Sequence, residues 1–183
     1  FYRPCTEQGF KRTRDGNRLV AFAQDEWDFQ IDPQRVGESI GLWSNEIRGG
    51  SWQKIKTSSS SWSNQGLRYY KGLAWYRQSV QVPAEFKGQR VFLWCGGVDE
   101  KTKVWLNGTL VGISPGASFY PFEIDVTEAL KAGESNTMTI CVANERVDEL
   151  GTGGIVAPVM LYAPKDGKAA KLENRRPLGS TFP

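Results

Sequence analysis

The chain has 183 residues and a net charge of +3, with 20 glycines, 9 prolines, 7 tryptophans and no histidine. The missing imidazole excludes Ser-His and Cys-His nucleophile pairs, His-bearing zinc sites and imidazole acid–base chemistry. Basic residues gather toward the ends, Lys11, Arg12, Arg14 and Arg18 at one and Lys165, Lys168, Lys171, Arg175 and Arg176 at the other. A nucleic-acid binder carries its charge on a folded face among aromatics, so no nucleic-acid partner is expected.

Residues 1–17 are polar and basic without periodicity and read as an N-terminal arm. Ten strand candidates follow, at 18–23, 27–31, 51–56, 75–82, 90–96, 103–106, 109–113, 121–126, 137–143 and 155–162. They are marked by alternation or by β-branched and aromatic residues. Phe122, Ile124 and Val126 form one inward set and Met138, Ile140 and Val142 another, with Glu123, Asp125 and Thr139 outward. Of the tryptophans in strands, Trp27, Trp75, Trp94 and Trp105, at least some are expected in the core. Asn107–Gly108 between two apolar runs predicts a two-residue type I′ hairpin, and that turn also accounts for the Asn-Gly-Thr acceptor sequence. Helical signal is confined to one turn at 127–131, capped by Thr127 or Asp125. Residues 165–183 lose the pattern and read as a tail or linker. The expectation is one all-β sandwich over residues 18–164.

Cys95 and Cys141 sit inside strand-like runs, where a buried thiol acts as a small hydrophobe, and Cys5 lies in the arm. Neither a disulfide framework nor a metal spacing is present. No apolar run approaches the ~18–20 residues of a membrane span, so no membrane partner is expected. The chain begins at Phe1, as expected of a processed form or an excised piece, and an extracellular or periplasmic location is favoured.

If consecutive strands run up and down through the sandwich, loops alternate between its two ends. The turns at 83–89, 107–108 and 127–136 fall at one end, while 57–74, 97–102, 114–120 and 144–154 fall at the other. The second group carries Trp62, Gln65, Arg68, Tyr69, Tyr70, Asn144, Glu145 and Asp148. Aromatic faces cover the apolar side of a sugar ring, while amides, carboxylates and arginine pair with its hydroxyls, so these eight are the candidate carbohydrate-binding residues. Trp62 follows the polar run 58–61 and is the tryptophan expected to be exposed; the competing reading has it plugging the sandwich end.

The runs Gly72-Leu-Ala-Trp75-Tyr76-Arg77-Gln78, Val82-Pro83 and Gly88-Gln89-Arg90-Val91-Phe92-Leu93 resemble the N-terminal sugar-binding domain of glycoside hydrolase family 2. So do Gly97-Val98-Asp99, Val104-Trp105-Leu106-Asn107-Gly108, Pro121-Phe122-Glu123-Ile124-Asp125-Val126-Thr127 and, upstream, Trp27-Asp28-Phe29-Gln30-Ile31-Asp32-Pro33. The resemblance covers about residues 27–164 and implies a jelly-roll β-sandwich of the galactose-binding domain-like type. In that family the domain sits beside a barrel holding both catalytic carboxylates, so flanking domains of a parent enzyme are implied partners, with carbohydrate the implied ligand. Asp148 matches the position of a substrate-contacting aspartate in galactosidase-type members. Tyr69-Tyr70-Lys71-Gly72-Leu73 stands where some members use an asparagine, and has none. No cofactor is implied; a structural calcium in the acidic loops is the one metal the resemblance leaves open, without an EF-hand-like loop or a fixed ligand set. Two other readings follow from the same residues: an interdomain scaffold without sugar binding, and an independent enzyme using two of Glu145, Asp148 and Glu149 as a carboxylate pair.

Overall fold

The computed structural model describes residues 17–46, 50–58, 60–114, 120–145 and 153–166. Ten strands are present among them, β1 (Arg18–Phe22), β2 (Glu26–Asp32), β3 (Gln53–Lys56), β4 (Gly72–Gln81), β5 (Phe92–Cys95), β6 (Lys101–Leu106), β7 (Thr109–Ile113), β8 (Phe122–Asp125), β9 (Ser135–Asn144) and β10 (Val159–Ala163). They form a four-stranded sheet ordered β1-β10-β5-β8 and a six-stranded sheet ordered β3-β2-β4-β9-β6-β7. Every named pairing is antiparallel. The chain is an all-β sandwich, as its turn-punctuated sequence predicts. The expected arm and tail lie outside the described residues except for Asn17, Lys165 and Asp166, and Lys165 N donates to Asn17 Oδ1 at 3.1 Å.

Alternation decides which side chains fill the sandwich. Phe122, Ile124 and Val126 face Met138, Ile140 and Val142 in one buried cluster with Trp27, Phe29 and Tyr76. The outer face of the six-stranded sheet is also covered, by residues 33–46, which lie across it as a strap. Leu42 packs there with Trp75, Trp105 and Cys141. This second layer buries Thr139 to 1% exposure, although it points outward as expected. Arg77 beneath the strap donates to the carbonyls of Leu42 and Ser44 and lies 4.8 Å from the Trp52 ring centroid. Burial lowers its pKa from the ordinary guanidinium value. Strand β10 has all five residues buried, which explains why it reads as a continuous apolar run.

At the far end from the candidate site, Asn107 and Gly108 adopt φ of 52° and 80°, the left-handed pair a type I′ turn requires. The Asn107 amide donates to Ala129 O at 2.8 Å and Asn136 Oδ1 at 2.7 Å and accepts from Thr137 N at 3.0 Å. The acceptor asparagine of the Asn-Gly-Thr sequence is thus built into the fold. Residues 127–129 form a turn in which Asp125 Oδ1 accepts from Thr127 N at 3.1 Å and from its hydroxyl at 2.6 Å.

Cys95 and Cys141 are free and buried, and burial pushes both thiols up to about 12. At pH 8 this leaves about one thiolate in ten thousand, so neither is expected to react with a disulfide reagent in the native chain, whereas both react in urea. The sign for stability follows: the unfolded chain releases these protons from about pH 8.5 upward while the folded one holds them, so stability declines as pH rises from there toward 12. Thiol titration across pH 7–9, with and without denaturant, checks the first statement.

Candidate functional site

Strand register brings the end of β2, the start of β4, the end of β9 and the start of β6 to one pole, where Asp32 pairs with Leu73, Gly72 with Asn144 and Lys101 with Ala143. The loops after Asn144 and after Cys95 meet there, as expected from alternation. The stretch after Thr57 reaches the pole differently. Lys56 ends β3 beside Glu26, at the start of β2, whereas β4 begins beside the end of β2. Strands β3 and β4 therefore run parallel, and residues 57–71 travel back along the sandwich before arriving. The simple up-and-down rule fails at this crossing.

That path puts Trp62 inside the protein, a correction to its expected exposure. It is 1% exposed, its indole N–H donates to the Tyr76 hydroxyl, and its ring lies edge-on to Phe29 with centroids 6.1 Å apart. Trp62 N donates to Gly153 O at 3.2 Å, joining the two loops. Gly153 and Gly154, at φ of 89° and 84°, let the backbone pass directly over the indole; any Cβ at Gly154 overlaps both Trp62 and Tyr76. Asp99 completes the join, accepting from Gly153 N at 2.9 Å through Oδ2 while its own N–H donates to Gly154 O at 2.9 Å. Trp62 plugs the sandwich and presents no ring face to a ligand.

Gln65 is taken up by the backbone around it at a partly exposed position, binding Lys56 N and O at 2.8 Å each and Ser61 O at 3.2 Å. Tyr70 is half-buried, and its hydroxyl donates to Leu73 O at 2.6 Å while accepting from Asp32 N at 3.2 Å. Burial raises its pKa above the ordinary phenol value. Asn144 is buried at 7% exposure, with its amide nitrogen close to Gly153. Asp148 lies outside the described residues.

Three of the expected residues are open to solvent. Tyr69 is 77% exposed, Arg68 holds its guanidinium carbon 5.7 Å from the Tyr69 ring centroid, and Glu145 is exposed on the opposite loop. Glu145 brings in a residue that the sequence reading missed: Arg35 Nη1 donates to Glu145 Oε1 at 2.9 Å, and Glu145 N donates to Glu100 Oε2 at 2.9 Å. Arg35 and Glu100 both adopt left-handed backbone, with φ of 56° and 65°, a conformation costly for side-chain-bearing residues and concentrated at binding sites. The signal for Arg35 was the Asp-Pro turn that begins the long connection between β2 and β3, which leaves from the same pole.

Among the described residues no three His, Cys, Asp or Glu side chains gather as a metal ligand set, and residues 146–152 of the acidic loop lie outside them. No helix among the described residues is long and apolar enough to cross a membrane. Two grooves lie away from this pole, one of about 580 Å³ along β1 beside Phe86 and one of about 640 Å³ between β7 and β8.

Residues 53–150 match the family described as glycosyl hydrolase 2 galactose-binding domain-like. The chain belongs to this family. It is 31% identical over 119 residues to a β-glucuronidase of Paenibacillus borealis, covering 64% of this chain and 20% of the relative. It is 26% identical to a β-galactosidase of Priestia megaterium over 86% of this chain and 18% of the relative. Among solved structures, the apo β-glucuronidase of Ruminococcus gnavus superposes with a TM-score of 0.73 at 19% identity, over 89% of this chain and 30% of that one. A β-glucuronidase of an uncultured Clostridium gives 0.69 at 25% identity over 90% and 31%. The chain thus spans about a fifth of the length of these curated relatives and under a third of the solved ones. The galactose-binding-like fold carries the glycosyl hydrolase 2 pattern that the strand motifs resemble.

Proposed function

We propose that the chain is a non-catalytic carbohydrate-binding and substrate-shaping domain of a multidomain glycosyl hydrolase 2 enzyme, with the mouth formed by Arg68, Tyr69, Arg35, Glu145 and Glu100 turned toward the sugar. The observation that carries this reading is the exposed Tyr69 ring with an arginine against it, next in sequence to Tyr70, whose hydroxyl meets Asp32 at the pole that also holds the Arg35–Glu145–Glu100 chain. A flat ring covers sugar C–H groups, and fixed ionic donors and acceptors beside it select hydroxyl positions. Asp148 extends this set by its place in the sequence. Catalysis is assigned to the portion of the relatives' length that this chain does not span; Glu145, one of its candidate acids, is engaged by Arg35.

The test is NMR titration of the chain with methyl β-glucuronide and methyl β-galactoside. Saturable shifts at Arg68, Tyr69 and Glu145 are expected, and Tyr69→Ala is expected to weaken binding about fivefold, the loss of roughly 1 kcal/mol of ring contact. No saturable shift with either sugar at tens of millimolar overturns the reading. It then favours the scaffold alternative, which the internal hydrogen bonds of Trp62, Gln65 and Tyr70 support: three of the eight expected residues bind other parts of the protein.

A further inference from the structure

The two flanks of the mouth belong to separate connections, residues 33–46 carrying Arg35 and residues 57–71 carrying Arg68 and Tyr69. We infer that Asp32, 5% exposed at the end of β2, is the positioning residue that sets both flanks at once. The inference rests on the proposed sugar-binding reading.

Every hydrogen-bonding group of this aspartate is used, and the partners divide between the flanks. Oδ1 accepts from Val36 N at 3.0 Å, and Oδ2 accepts from Gly37 N at 2.8 Å and from the Trp75 indole N–H at 3.0 Å. Its carbonyl accepts from Arg35 N at 3.1 Å, closing the turn in which Arg35 takes its left-handed φ of 56°. Its own N–H donates to the Tyr70 hydroxyl at 3.2 Å. The carboxylate thus fixes the start of the strap and the direction in which Arg35 leaves, while the backbone N–H holds the ring adjacent to Tyr69. Trp75 ties both to the sheet.

A buried carboxylate accepting three N–H groups is a rigid pivot, because releasing any one of them leaves a donor without water. The close approach is built into the sequence. A Cβ at Gly37 lies within 2.7 Å of Asp32 Oδ2, and one at Gly72 within 2.9 Å of the Tyr70 hydroxyl, so both partners require glycine beside them. Asparagine at this position keeps one acceptor oxygen and sets an amide against backbone N–H groups; alanine keeps neither.

The experiment compares wild type, Asp32→Asn, Asp32→Ala and Tyr70→Phe by amide hydrogen exchange without sugar and by the same glycoside titrations. Exchange is expected to accelerate at least tenfold at Val36 and Gly37 in Asp32→Asn, and further in Asp32→Ala; the Asp32 amide, whose bond to the Tyr70 hydroxyl both substitutions leave in place, is expected to accelerate in Tyr70→Phe. The central ladder at Ile140 and Val104 stays protected. Affinity is expected to fall more than fivefold in Asp32→Ala, with partial recovery in Asp32→Asn. Unchanged exchange at Val36 and Gly37 in Asp32→Ala, or at Asp32 in Tyr70→Phe, overturns the inference, as does an affinity that is unchanged in both Asp32→Ala and Tyr70→Phe while the flanks loosen. Global loss of protection in Asp32→Asn as well as Asp32→Ala assigns Asp32 to the core and overturns it too. If wild type binds neither sugar, the proposed function fails, while the exchange comparison still decides whether one residue sets both flanks.

Discussion

Replacing Trp62 by alanine is expected to remove about 4 kcal/mol of stability, the usual loss for a large aromatic deleted from a core, and to lower the urea midpoint without changing the slope. The magnitude follows from its place. The ring is 1% exposed, lies against Phe29 and Tyr70, and supports the turn through Gly153 and Gly154. Two terms add: the apolar surface no longer buried, and a cavity that cannot collapse because the β2 and β4 side chains around it are pinned by their ladders. Trp62→Phe separates packing from hydrogen bonding. It keeps most of the ring but removes the N–H that reaches the Tyr76 hydroxyl, and is expected to cost about 2 kcal/mol. A loss under about 1 kcal/mol for Trp62→Ala contradicts the buried placement and returns this residue to the list of sugar contacts.

The second large effect is expected at the opposite end, for Asn136→Ala, at about 3 kcal/mol. Asn136 is fully buried, and its amide serves four partners. Oδ1 accepts from Asn107 Nδ2 at 2.7 Å and Lys131 N at 2.8 Å, while Nδ2 donates to Lys131 O at 2.8 Å and Glu134 O at 3.0 Å. This side chain replaces the backbone pairing that residues 127–134 cannot make for themselves, and it clamps that turn to the Asn107–Gly108 hairpin. Alanine leaves two donors and two carbonyls unsatisfied in a site where water enters only if the turn opens. Asn136→Asp tests the same point with an isosteric group: protonated, it keeps an acceptor and one of the two donors, and ionised it keeps acceptors only. Chemical denaturation of both variants measures the cost, and Asp is expected to fall between wild type and Ala below the carboxylate pKa.

Why the strands were legible is visible in residues such as Met138, Ile140 and Val142, where strict alternation coincides with a face that is buried in one direction. The Asn-Gly turn was legible for a local reason, since only left-handed residues close a two-residue hairpin. Three features depended on information not carried locally. Trp62 sits in a polar stretch, and only the parallel run of β3 and β4, a relation set by β2 lying between them, sends it inward. Residues 33–46 lack periodicity because they lie flat over Trp75 and Trp105, touching the sheet through scattered anchors at Asp32, Leu42 and Arg77. Arg35 was missed because its role depends on meeting Glu145, 110 residues away. Within the candidate site, sequence reading named residues on segments that reach one pole. It did not separate Tyr69, which is exposed, from Trp62 and Tyr70, which are structural, because neighbouring aromatics in an irregular segment carry no phase.

The pairing of the first strand with the last has a mechanical consequence. Arg18 lies opposite Ala163 in an antiparallel ladder, so the polypeptide enters and leaves the sandwich side by side. Tension between whatever adjoins these two points peels β1 from β10 one hydrogen-bonded pair at a time, starting at Asn17 and Lys165, rather than loading the ladder all at once. The same arrangement means that the whole sandwich adds almost no distance between its entry and exit points, as a closed loop adds none to the hook that holds it.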